Sequence, residues 1–143
     1  MKYDSTRGGV SGLGFIDAVL TGLADDGGLL VPQRVPTIGA RELADWKNMT
    51  YQELAYSVMR KFIDPDEISC RDLQQMVSTA YSTFSHSDIC PTVDKGPFCV
   101  LELFHGPTFA FKDVALQFLG CLFEYSLAAR NRYNYNIQRI SNQ

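Results

Sequence analysis

Apolar residues recur at helical spacing in several parts of the chain. A stripe that begins at Leu73 repeats every three or four residues, which predicts an amphipathic helix with one buried face. Ser69 precedes that helix as a cap, and a capping box at 50–53 opens a second helix that reaches about Ile63. Residues 15–24 show the same spacing and predict a further helix. The stripe is interpreted as core and consists of Leu73, Met76, Val77, Ala80 and Phe84.

Strand signals are shorter and fewer. Residues 2–6 mix polar and β-favouring types and predict a short strand, and residues 29–31 predict another that stops at Pro32. The strongest strand signal covers residues 98–104, after a loop at 85–96. With the helices, this pattern predicts an α/β fold: a helix-rich amino-terminal domain over residues 1–96, followed by a strand, a turn and a helix.

The last helix is apolar on nearly every side. It is expected to start near residue 111 or 112 and to run toward Arg130, and Gln117 is the only polar side chain between residues 114 and 123. Such a helix is normally buried all round. Nothing apolar enough follows to cover it, so we expect self-association, or docking of another protein, through the helix at residues 112–125.

Composition removes several classes of function. The chain has 143 residues, 45% hydrophobic and 20% charged, with a net charge of -3, and no run of lysine or arginine exceeds two residues. That charge pattern argues against nucleic-acid binding. No apolar run is long enough to span a bilayer, so no membrane partner is expected, and the first residues do not resemble a secretory signal. We therefore expect a cytoplasmic protein.

Two further kinds of site are also disfavoured. The glycine-rich stretch 8–14 does not follow the buried strand that a nucleotide loop requires, so a flexible connector is expected there. His86 and Cys90 have helical metal-ligand spacing, but two ligands do not make a metal site. No cysteine belongs to a CxxC pair, and reduced thiols are expected at Cys70, Cys90, Cys99 and Cys121.

The candidate chemistry is a single lysine, Lys112, between a tight turn and an apolar helix. A lysine that forms a Schiff base must react as the neutral amine, and apolar neighbours such as Phe109 and Phe111 disfavour the ammonium form, as does a helix N-terminus. Position alone favours the plainer interpretation, a lysine that reaches solvent along an apolar stem. His105 could face the same site or cap the turn, with neither alternative preferred. Asp113 is interpreted as a helix-start carboxylate.

The whole segment decides between these interpretations because it resembles the cofactor-lysine segment of the threonine synthase family almost residue for residue. Residues 2–8 and 15–32 are also similar to segments of that family, including its animal threonine synthase-like members. The resemblance implies pyridoxal 5'-phosphate as cofactor, held as a Schiff base at Lys112, and implies that residues 97–125 begin a fold type II catalytic domain. The segment reads Leu103-Phe104-His105-Gly106-Pro107-Thr108-Phe109-Ala110-Phe111-Lys112-Asp113.

The resemblance also implies a reaction, a phospho-lyase or synthase acting on a small phosphorylated hydroxy amino acid of the O-phosphohomoserine or O-phosphothreonine type. Family members carry later glycine-rich loops for substrate and cofactor phosphate, but no glycine follows Gly120 here, and residues 126–143 are interpreted as a divergent tail. Enzymatic activity of the isolated chain is therefore left open. The alternative expectation is a truncated, non-enzymatic form that acts as a binding factor or as a cytokine-like factor secreted without a signal peptide.

Overall fold

Five helices and four short strands make up the part of the chain that the structure describes. A computed structural model describes the backbone of residues 1–141 and the side chains of residues 1–130. The strands form two antiparallel two-stranded ribbons, β1 with β2 and β3 with β4. The elements in chain order are β1 (Tyr3–Ser5), α1 (Phe15–Thr21), β2 (Leu30–Pro32), α2 (Ala40–Trp46), α3 (Tyr51–Arg60), α4 (Cys70–Tyr81), β3 (Thr92–Asp94), β4 (Cys99–Leu101) and α5 (Asp113–Ser141).

The first ribbon fastens the amino-terminal segment to the helices. Tyr3 lies opposite Pro32 in the ribbon, and its hydroxyl donates a hydrogen bond of 2.9 Å to the backbone oxygen of Phe62. The connector expected to be flexible is instead held in place. Leu13 exchanges two backbone hydrogen bonds of 3.0 Å with Tyr3, and the Asp26 carboxylate accepts a hydrogen bond from the backbone N–H of Gly9.

Helices α3, α4 and α5 enclose the hydrophobic core. Both predicted caps are confirmed: Thr50 and Glu53 form the capping box of α3, and the Ser69 hydroxyl accepts the N–H of Asp72 at the start of α4. The predicted stripe on α4 is buried, except that Phe84 lies beyond the end of the helix and packs only partly against the core. The buried core residues are Ile63, Ile68, Leu73, Met76, Val77, Ala80, Tyr81, Ile89, Phe118 and Leu122.

Several element boundaries differ from the sequence-based expectation. Helix α2 had no predicted counterpart, because it has no side-chain cap and no buried residue to give a periodic signal. Strand β3 lies inside the segment predicted as a loop, and β4 covers only three of the seven residues predicted as the strongest strand. Helix α1 ends at Thr21, where Gly22 takes a positive φ of 71°. Pro32 belongs to β2, an edge strand of a two-stranded ribbon in which a missing N–H is tolerated.

Helix α5 is buried on one side and exposed on the other. Phe118 and Leu122 pack into the core with α4, and Ser126, at the start of the predicted tail, is fully buried. On the other side, Leu116 is 51% exposed and Leu127 is 53% exposed. Among the helices of the described residues, none has both the length and the apolar character to cross a membrane.

Candidate functional site

Lys112 is the residue immediately before helix α5. Its backbone oxygen accepts hydrogen bonds from the N–H groups of Ala115 at 3.1 Å and Leu116 at 2.8 Å, so the helix begins on the lysine itself. The predicted helix start near residue 112 is confirmed. The side chain of Lys112 is exposed and leaves the fold at the positive end of the helix dipole.

The surroundings of Lys112 differ from the predicted apolar enclosure. Phe109 is 76% exposed and Phe111 is 66% exposed, and both flank the lysine on the surface. The sequence placed these aromatic residues next to Lys112 but could not show whether further protein covers them. Lys112 is exposed, and no salt bridge involves it among the residues whose side chains the structure describes.

A buried carboxylate next to the lysine holds the preceding loop. Asp113 is only 3% exposed and accepts hydrogen bonds from the backbone N–H and the hydroxyl of Thr108, each at 2.8 Å. The side-chain amide of Gln117 approaches the same carboxylate at 3.4 Å. Burial raises the pKa of Asp113, but these hydrogen bonds outweigh that effect and keep its pKa below the ordinary value. Asp113 is thus an ionised group that organises the loop, which extends the predicted role of a helix-start carboxylate.

Two backbone features shape the same loop. A Cβ at Gly106 would lie 2.4 Å from the Cβ of Asp113, so only glycine lets the chain pass this close to the carboxylate. Phe109 has a φ of 59°, in the left-handed region that large side chains rarely adopt, and its N–H donates to the oxygen of Gly106 at 3.1 Å. The roles of Gly106 and Thr108 in shaping this loop were not predicted from the sequence. The available signal was a Gly-Pro-Thr turn followed five residues later by an acid.

The side chain of His105 contacts Glu102. Its Nε2 lies 2.7 Å from the Glu102 carboxylate, and its ring packs against His86 with centroids 5.0 Å apart. The backbone oxygen of His105 accepts a hydrogen bond from the N–H of Ser85 at 2.9 Å. These contacts tie the turn to the segment that follows α4, which agrees with the turn-capping alternative for this residue.

Helix α4 supports the lysine end of α5. The hydroxyl of the buried residue Tyr81 donates to the backbone oxygen of Val114, the second residue of α5, at 3.0 Å. Farther along, the Tyr125 hydroxyl donates to the Asp72 carboxylate at 3.2 Å. The lysine therefore emerges from a helix that is fixed at two points to the core.

Other candidate sites carry less chemistry. Within the described residues, no group of three or more histidine, cysteine or acidic side chains is arranged to hold a metal ion. The ring of His86 accepts the N–H of Asp88, which engages one of the two residues with metal-like spacing. All four cysteines are free thiols, and burial raises the pKa of Cys90 and of Cys121.

Comparison with known structures defines the class of protein. The chain superposes with a TM-score of 0.88 and 48% identity on a solved structure of pyridoxal-phosphate-bound threonine synthase from Brucella melitensis, covering 92% of this chain and 28% of that one. Threonine synthase from yeast gives a TM-score of 0.86 at 42% identity, with 92% and 27% covered. The fold therefore matches the amino-terminal part of these threonine synthase structures, and the predicted α/β class is confirmed.

The sequence comparisons identify the family. The family described as "Threonine synthase N terminus" matches residues 2–81, more than half of the 143 residues, and the chain belongs to the threonine synthase family. It is 49% identical to threonine synthase of Schizosaccharomyces pombe over 92% of this chain and 26% of that protein. It is 39% identical to threonine synthase-like 2 of Xenopus laevis, over 93% and 28%. The chain spans about a quarter of the length of these curated relatives.

Proposed function

We propose that this chain carries the cofactor lysine of a pyridoxal-phosphate-dependent enzyme of the threonine synthase type, and that this lysine is Lys112. The observation that carries the proposal is the placement of Lys112, an exposed residue immediately before α5 at the end of a loop anchored by Asp113. The similarity to a pyridoxal-phosphate-bound structure over 92% of the chain supports it.

The residues present fit one end of the cofactor. Pyridoxal phosphate, when bound, serves as an electron sink for the substrate. A lysine amine such as Lys112 bonds to it only when neutral, and covering protein that excludes water favours that form. The phosphate end needs backbone N–H groups in a glycine-rich loop, but no glycine follows Gly120. We infer that this loop belongs to the three quarters of a threonine synthase that the chain does not match.

Identity to the relatives favours one substrate class. The chain is 49% identical to a threonine synthase and 39% identical to a threonine synthase-like 2 protein over similar lengths. We therefore propose O-phosphohomoserine as the substrate of the complete enzyme, with O-phosphothreonine as the second candidate within the same chemistry. Nothing in the comparisons supports the cytokine-like or secreted alternative.

A chimeric enzyme tests the role of Lys112. Residues 1–130 of this chain would replace the corresponding part of the Schizosaccharomyces pombe threonine synthase, which supplies the remaining loops. With O-phosphohomoserine, we expect threonine and inorganic phosphate to form in equal amounts. Lys112→Ala should reduce threonine formation to background, because no other amine starts from the same helix end.

A matched substitution controls for the loss of a positive charge. Lys95 is exposed in the turn between β3 and β4, and Lys95→Ala should leave the activity of the chimera unchanged. Full activity in the Lys112→Ala chimera would show that the cofactor lysine lies elsewhere. In the complete enzyme to which this chain belongs, release of phosphate from O-phosphothreonine but not from O-phosphohomoserine would overturn the substrate assignment alone.

A further inference from the structure

The buried carboxylate of Asp113 is bonded backward along the chain rather than into its own helix. A helix-capping side chain normally accepts N–H groups from the following turn. Asp113 instead accepts both the N–H and the hydroxyl of Thr108, five residues earlier, and only the Gln117 amide approaches it from within α5. A buried carboxylate is costly to keep unless its hydrogen bonds are satisfied, and here they are satisfied by the lysine loop.

The backbone of the loop passes very close to this carboxylate. Gly106 is buried, and any side chain at its position would collide with Asp113. Between Gly106 and Lys112 the chain turns through the left-handed residue Phe109, whose N–H bonds to the Gly106 oxygen. The direction in which the backbone reaches Lys112 is therefore set by contacts with Asp113.

We propose that Asp113, Thr108 and Gly106 form a clamp that positions Lys112 for capture of the cofactor. Asp113 is a positioning residue in this proposal, since its hydrogen bonds are to the loop and to Gln117 and not to a reacting atom. The proposal rests on the proposed function of Lys112 and adds the residues that orient it. Without the clamp, the loop at 106–112 would sample several directions and the amine would meet the cofactor aldehyde less often in a productive geometry.

Covalent labelling of the full chain tests the clamp. The protein would be incubated with pyridoxal phosphate and treated with borohydride, and the labelled lysines would be located by peptide mass spectrometry. Lys95 is also exposed and serves as the internal reference. In the unsubstituted chain we expect labelling at Lys112 to exceed that at Lys95 several-fold.

Substitutions at the clamp should change this ratio in a graded way. Asp113→Ala should lower the ratio of Lys112 to Lys95 labelling by roughly tenfold, within the hundredfold that a misplacement of about 1 Å can cause. Asp113→Asn should keep most of the ratio, since an amide can still accept the Thr108 N–H. Thr108 is exposed, and Thr108→Val removes its hydroxyl contact with Asp113, so this variant should also lower the ratio. Thr108→Ser retains a hydroxyl and should keep the ratio of the unsubstituted chain. Glu124→Ala, an exposed acid on the same helix, should change nothing.

A second measurement separates the clamp from the cofactor role. Reductive methylation with labelled formaldehyde gives each lysine its own NMR signal without any cofactor. The clamp predicts one sharp Lys112 signal that shifts or broadens in Asp113→Ala and Thr108→Val and recovers in Thr108→Ser. Unchanged signals, or an unchanged labelling ratio in folded variants, would overturn the clamp. A shifted signal with no labelling preference for Lys112 in the parent chain would uphold the clamp and count against the proposed cofactor role.

Discussion

Similar apolar side chains are buried in the helical core but exposed in the segment at residues 98–111. Leu73 and Val77 on α4 are at most 1% exposed, whereas Phe98 is 70% exposed and Phe109 is 76% exposed. The core helices cover one another, so the apolar side chains on their facing sides are buried. The second segment is held mainly by backbone hydrogen bonds of the β3–β4 ribbon and by the Asp113 carboxylate.

This contrast separates the closed part of the fold from the part that contains the proposed cofactor lysine. The closed region is stabilised by burial, at about 1.5–3 kcal/mol for each large apolar side chain. The open region contains Lys112 and a wide apolar surface, the arrangement expected of a surface that receives another body of protein. Lys112, the proposed cofactor lysine, therefore lies at the edge of the helical core and not within it.

The largest expected effect tests the contrast in burial directly. Leu73→Ala should lower the free energy of unfolding by about 2–5 kcal/mol, because it removes a fully buried side chain and leaves a cavity. Leu101, which is 56% exposed on β4, provides the matched control, and Leu101→Ala should change that free energy by about 0.5 kcal/mol or less. Urea denaturation followed by circular dichroism measures both. Equal losses for the two variants would mean that β4 is as closed as α4.

The open face of α5 leads to a second expectation. We propose that the chain self-associates or docks another protein through this face. Phe118 and Leu122 lie within the helix at residues 112–125, but both are buried, so Leu116 is the residue to change. Leu116→Asp should weaken self-association by about tenfold, since transfer of one large apolar side chain from water is worth about 1.5–3 kcal/mol.

Sedimentation velocity at low micromolar concentration measures this association. Leu43, 56% exposed on α2, is an apolar residue outside the patch, and Leu43→Asp should leave the sedimentation profile unchanged. A compact monomer in the parent chain that binds no hydrophobic dye would show that the exposed face of α5 needs no partner.

The smallest expected change in the free energy of unfolding concerns a buried hydroxyl in the closed core. The hydroxyl of Ser126 is fully buried and has no hydrogen-bond partner among the described residues. A buried polar group without a partner is destabilising, so Ser126→Ala should raise the free energy of unfolding by about 1 kcal/mol. Ser57, whose exposed hydroxyl donates to the Glu53 oxygen, is the control, and Ser57→Ala should produce no gain. A loss of stability in Ser126→Ala would indicate that this hydroxyl is satisfied.

Local signals in the sequence were reliable, and those that depend on distant residues were not. The capping box at Thr50 and the cap at Ser69 were predictable because each involves residues three positions apart. Helix α2 lacks a cap and a buried face, and β3 has no alternating pattern, so neither gave a signal. The position of Lys112 followed from the turn and the motif, but its exposure depends on what covers Phe109 and Phe111.

The hydrogen bonds around Asp113 also affect the order in which parts of the chain fold. Its partners Thr108 and Gln117 lie five and four residues away, and a loop of about ten residues closes in roughly 10–100 ns. The bond between Tyr125 and Asp72 spans 53 residues and must wait for α4 and α5 to meet. During folding, the lysine turn can therefore form and reform many times before the core consolidates, and the core then fixes in place a turn whose shape was already encoded within a dozen residues.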